Sequence, residues 1–98
     1  VAKRGDIEQA LRQLAPDIPD FEASAIVDHA LDSRGLNPAS PQTAAWLSMV
    51  AFVRHALTEY DSLLEEGYDH ESARHFVAPD IQAVLADWGV RKPLTPQD

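Results

Sequence analysis

Apolar residues recur along this chain three and four places apart, the period of a helix that buries one face, and the runs stop where proline or glycine intervenes. No stretch alternates apolar and polar residues over several positions, and no Asn-Gly or Asp-Gly pair offers a hairpin turn. The pattern therefore predicts an all-α fold. With 98 residues of which 45% are hydrophobic, the chain is long enough for one core and too short for two. The expectation is a compact bundle of four to five helices around a long central helix, spanning residues 1–91. Residues 92–98 are expected to be a flexible C-terminal tail. No internal repeat or low-complexity tract stands out.

The spacing places a first helix over Asp6–Leu14, with Asp6 as its cap and Ile7, Leu11 and Leu14 on one face. A second starts near Pro19, carries acids in its first turn, buries Ala23, Ile26, Val27, Ala30 and Leu31, and ends at Arg34-Gly35. Leu36–Ala39 reads as a loop. Ser40-Pro41 then has the form of an N-cap followed by proline at the first helical position. The helix it opens is expected to run unbroken to Glu66, with Gly67 as the stop. Trp46, Val50, Val53, Leu57, Tyr60 and Leu64 form its main stripe; Leu47, Met49, Phe52, Ala56 and Leu63 widen it. So broad an apolar surface predicts a central helix packed on more than one side. Asp69 can cap a further helix. Pro79 is expected to split this into His70–Val77 and Pro79–Trp88, because an interior proline removes a hydrogen bond and clashes with the preceding turn. Ile81, Val84, Leu85 and Trp88 give the second piece its face, and Gly89 ends it. Trp46 and Trp88 fall on apolar faces and are expected in the core.

Composition excludes several functions. There is no cysteine, which removes disulfides, thiolate catalysis and thiolate metal sites, and fits a reducing compartment such as the cytoplasm. The net charge of −8 disfavours nucleic acids and anionic membranes and favours a soluble protein with a basic partner. No apolar run approaches the roughly 20 residues of a membrane span. The start, Val1-Ala2-Lys3-Arg4-Gly5-Asp6, has no apolar stretch of signal-peptide type, and the lack of an initiator methionine fits a piece of a longer chain.

Motifs of catalysis are missing as well. The serines lack a nucleophile elbow and the glycines form no phosphate loop. The four histidines, His29, His55, His70 and His75, show no i, i+3 or i, i+4 pair of the kind that puts two metal ligands on one helix face. The expectation is therefore a non-enzyme with no cofactor and no metal.

One local cluster stands apart. Within Arg54-His55-Ala56-Leu57-Thr58-Glu59-Tyr60-Asp61, a continuous helix would put Arg54, Thr58 and Asp61 on one face. Arg74-His75 could meet Tyr60 or Asp61 across a helical hairpin. These seven residues, Arg54, His55, Thr58, Tyr60, Asp61, Arg74 and His75, are the candidate binding patch, and they could equally be a structural tie between two helices. Three functions follow. A protein partner held on this polar edge is the first. A nucleic acid held by Arg54, Arg74, His75, Arg91 and Lys92 is the second, opposed by Asp80 and Asp87 in the helix that would enter a groove. A small enzyme or metal site using His55, His75 and Asp61 is the third.

The same residues carry a family resemblance. Arg54-His55, Thr58, Tyr60-Asp61 and Leu63-Leu64, followed by Ala73-Arg74, Ile81, Val84-Leu85 and Trp88, resemble the domain-of-unknown-function family numbered 2293. Upstream, Pro19 and Ile26-Val27-Asp28-His29-Ala30 look like that family's opening section. The resemblance covers Leu14 to Trp88. It implies that Arg54, His55, Thr58, Tyr60, Asp61 and Arg74 belong to the family's motif, and it brings no activity, cofactor or partner with it.

Overall fold

A computed structural model describes residues 3–32, 40–96 and 98. Five α-helices follow one another in it: α1 (Arg4–Leu14), α2 (Asp20–Asp32), α3 (Pro41–Ala56), α4 (Tyr60–Glu65) and α5 (His70–Asp87). No strand occurs among the described residues. The expected end of α2 at Arg34-Gly35 and the loop at Leu36–Ala39 lie outside them.

Helix α3 is central, as the breadth of its apolar surface requires: α1, α2, α4 and α5 all pack on it. Ser40 caps it by accepting the Thr43 N–H at 3.2 Å, and Pro41 occupies the first turn, where its missing N–H costs nothing. Ile7 and Leu11 of α1, Ile26 and Val27 of α2, and Met49, Val50 and Val53 of α3 close one half of the core. Tyr60, Leu63, Val77, Ile81, Leu85 and Trp88 close the other. Trp46 and Trp88 are both buried. Leu31, Leu47 and Leu57, assigned to buried stripes by spacing, are instead exposed, at 41%, 38% and 46%, and so is Ala56.

Helix α1 starts at Arg4, so Asp6 sits in its first turn rather than at its cap. Arg12 ties α1 to the start of α2, donating to the Ile18 carbonyl at 3.0 Å and to Asp20 at 2.7 Å.

The unbroken helix expected over 41–66 does not form. It stops at Ala56 and restarts at Tyr60. Thr58 explains the break: its hydroxyl donates back to the Arg54 carbonyl and accepts the Tyr60 N–H at 3.2 Å. A threonine side chain here takes over main-chain bonds that a continuing helix would have made.

The break expected at Pro79 is absent in turn. Pro79 lies inside a continuous α5. Pro79 and His75, whose carbonyl loses its partner, are both exposed, while Val77 and Ile81 on the opposite side are buried. The lost hydrogen bond therefore faces water, and packing of the inner face holds the helix together.

Of the three predicted glycine stops, the two within the described residues hold. Gly67 has φ +104° and Gly89 φ +82°. At each, a 6→1 and a 5→2 bond close the helix: Tyr68 to Leu63 with Gly67 to Leu64, and Val90 to Leu85 with Gly89 to Ala86. At Gly89 the requirement is double. A Cβ there would stand 2.9 Å from Asp17 Oδ2, because the Asp17 N–H docks on the Trp88 carbonyl and joins the end of α5 to the α1–α2 turn.

Candidate functional site

With α3 broken from α4, the seven candidate residues form two groups that share Arg54. The first is a joint around the buried ring of Tyr60. Arg54 lies over that ring, 5.6 Å from its centroid, and His55 meets its edge at 5.3 Å. The Tyr60 hydroxyl and His70 Nδ1 share a hydrogen bond of 2.9 Å, which fixes the start of α5 to α4. His55 Nδ1 and Asp61 Oδ1 pair at 2.7 Å on the exposed side. With the Thr58 hydroxyl committed to main chain, this group reads as architecture. Asp61 meets His55, not Arg54 or Arg74, because the helix break turns it away from the face that continuous spacing assigned.

The second group lines a groove. Arg54, Arg74 and His75 border a cavity of about 650 Å³ between the first turns of α5 and the C-terminal segment. That volume is within the usual range of ligand sites. Leu63, Ile81 and Leu94 supply apolar wall. Tyr68 and Phe76 stand on its rim, 56% and 60% exposed. Phe76 is left out because Ala73, Val77 and Ile81 carry the buried stripe and Phe76 falls one residue off it. A large apolar residue just off a stripe was the available signal for this rim, and the sequence reading passed over it.

Leu94, Thr95, Pro96 and Asp98 form the other wall. Lys92 Nζ lies 4.4 Å from the Trp46 ring centroid, and Leu94 packs on the core. The Asp98 carboxylate accepts from Trp46 Nε1 at 3.0 Å and from the Thr95 N–H at 2.8 Å. Burial alone would raise the Asp98 pKa; the bonds from Trp46 and Thr95 and the charge of Lys92 outweigh it and hold the carboxyl below its ordinary range. The main-chain oxygen of Asp98 accepts from Arg54 Nη2. Nothing in the helical periodicity signals the contacts to Trp46 and Arg54, which join residues more than forty positions apart.

Arg54 is the chemical centre of the groove. It is half-buried, and its Nε is buried with no hydrogen-bond partner. Its pKa is lowered, first by burial and then by the positive charge of Arg74. A guanidinium does not lose its proton under such a shift. The direction of the shift reflects a charge that is partly buried beside a second guanidinium. Arg74 is exposed and makes no ion pair among the described residues. No group of three histidine, aspartate or glutamate side chains among those residues is placed to hold a metal ion.

The molecule is thus an all-helical module built around α3, with a joint at α3–α4–α5 and an apolar groove edged by two arginines. No described helix is long and apolar enough to cross a membrane. No curated protein and no solved structure matches the chain. Residues 10–89 match the model of the family described as Uncharacterized conserved protein (DUF2293), and the chain belongs to that family.

Proposed function

We propose that this domain is a non-catalytic interaction module that captures a protein partner in the groove beside α5. The observation that carries the reading is one cavity combining apolar walls, two exposed aromatic rings and two arginines of which one has a buried, unpartnered nitrogen. Aromatic and arginine side chains at a concave site are the usual anchors of protein recognition. The His55–Asp61 pair lies outside this groove and has no hydroxyl or thiol nucleophile bonded to it, so nothing about it asks for catalysis. A cysteine-free chain suits a reducing compartment such as the cytoplasm.

The test is selection from a displayed peptide library against the wild-type domain and an Arg74→Glu/Phe76→Asp variant. Both substitutions are at exposed positions, and circular dichroism checks that the variant is folded. Peptides that bind wild type at least ten-fold more tightly than the variant support the reading. No enrichment, or equal binding to both, overturns it. A gel shift with nucleic acid at micromolar protein, lost in Arg74→Glu, would replace it with the nucleic-acid reading.

A further inference from the structure

We propose that the α3–α4 break is a latched hinge: when it opens, α3 and α4 become one helix, and the α4–α5 arm packs on a second copy of this chain, which returns its own arm. The inference does not depend on what the groove binds.

The backbone at the break is already close to helical. Leu57 has φ −119° and ψ 5°, and Glu59 has φ −89° and ψ 22°, beside the region that adjoins the α-helical one. No glycine or proline stands between the two helices, and the apolar period runs on through Leu57, Tyr60 and Leu64. Closed, the break leaves main-chain bonds unmade. Among the described residues the N–H groups of Thr58, Glu59, Asp61 and Ser62 find no main-chain acceptor, and that of Tyr60 has only the Thr58 hydroxyl. A continuous helix gives each of them the carbonyl four places back.

Two side-chain contacts hold the closed form instead. The Thr58 hydroxyl occupies the Arg54 carbonyl and the Tyr60 N–H. His55 and Asp61 pair at 2.7 Å across the break. Residues six apart stand about 240° around a continuous helix, so this pair exists only while the hinge is closed. Beyond the hinge, the 2.9 Å bond between Tyr60 and His70 joins α4 to α5, and the two move as one arm.

A second copy is the occupant because the surfaces already match. Opening separates α5, with its buried Val77, Ile81 and Leu85, from the α3 surface it packs on. The complement of each uncovered face is the face it left, and two opened chains offer these to each other. A hinge of three residues, 57–59, is too short to fold the arm back once it is helical, and short hinges favour exchange. In the pair the groove is assembled from both copies, with Arg54 from one and Arg74 and Phe76 from the other.

The experiment removes the latch. The whole chain is prepared as wild type, as Thr58→Ala/Asp61→Ala, and as that variant with Glu59→Gly added. Alanine favours the continuous helix. Glycine at 59 opposes it, yet suits the N-cap place that Glu59 holds in the closed form without a side-chain bond. Sedimentation equilibrium up to millimolar protein measures self-association. The double variant is expected to dimerise at least ten-fold more tightly than wild type, and Glu59→Gly is expected to reverse the gain. Isotope-filtered NOEs in a mixed-label dimer should place the α3–α5 contacts between copies. A double variant no more associated than wild type, a dimer whose α3–α5 contacts stay within one copy, or a dimer indifferent to Glu59→Gly would overturn the proposal. Asp61→Ala alone, at an exposed position, is the second variant. It should show a smaller gain even where the double variant does not fold, and no gain from it would also overturn the proposal.

Discussion

Among the described residues Ser48 is the one polar side chain buried completely, at 0% exposure, and its hydroxyl has no partner. It sits mid-helix in α3, flanked in sequence by Leu47 and Met49. An unsatisfied buried hydroxyl costs about 1–3 kcal/mol, and serine is also a poorer helix former than alanine. What serine contributes here is small volume. Ser48→Ala keeps that volume and removes the penalty, so it should raise stability by about 1 kcal/mol, or roughly 4–8 °C in Tm for a domain of this size. Thermal unfolding followed by circular dichroism checks this. A lower Tm would mean that the hydroxyl bonds a group such as the carbonyl one turn back. The contrast with Arg54 is instructive. Both residues carry a buried, unpartnered polar atom, but Ser48 is fully buried away from the groove, whereas the Arg54 side chain borders it.

At the level of elements, the joint between α3 and α4 decides where the candidate residues go, and Thr58 makes the joint. Thr58→Ala removes both hydroxyl bonds and should cost about 1 kcal/mol, the usual worth of a helix-terminal cap, while Thr58→Ser should recover most of it. Urea unfolding of the three chains measures this; equal midpoints would show that the break is set by packing of Tyr60 and Leu63 instead. The joint was half legible. Thr58-Glu59-Tyr60-Asp61 has the spacing of a helix start, a hydroxyl residue followed three places on by an acid. That signal was hidden because Leu57, Tyr60 and Leu64 continue the apolar period across it, and periodicity cannot distinguish one bent helix from two short ones. Pro79 misled in the opposite direction. A proline rule counts the lost bond, but the cost depends on whether the carbonyl left behind faces water or core, which the sequence does not show. The caps at Ser40 and Asp69 and the stops at Gly67 and Gly89 were readable because each is a local bargain between a side chain and its own turn. The groove was not, because its walls come from α3, α5 and the C-terminal segment, and its key pairing joins Arg54 to Asp98.

For the molecule as a whole, two carboxylates tie local structure to pH. Asp69 caps α5 by accepting the Ser72 N–H at 2.7 Å, and this main-chain bond, with help from the Ser72 side chain, holds its pKa below the ordinary range. Asp98, which fastens the C-terminal segment to Trp46, is held low as well. A carboxyl whose pKa is lower in the folded than in the unfolded state contributes stability that is complete above its unfolded value and disappears as pH falls through its folded value. Both contributions are therefore intact near neutrality and are lost together in acid. Acting the other way, the net charge of −8 at pH 7 makes the folded chain repel itself, and mild acid or added salt relieves this. Stability should therefore rise slightly from pH 7 toward the upper edge of the carboxylate range, then fall below it. Asp69→Asn separates the two effects, since asparagine caps a helix about as well as aspartate but does not titrate. Its Tm should lie near that of wild type in strong acid relative to the gap at neutral pH, with the gap closing as pH falls through the carboxylate range. Melting curves across that range, in low and high salt, test it. A gap that stays constant with pH would mean that the Asp69 charge adds nothing to the cap. In the same titration the Trp46 indole resonance should move as Asp98 is protonated. That would place loss of the Asp98–Trp46 contact on the same acid limb as loss of the α5 cap.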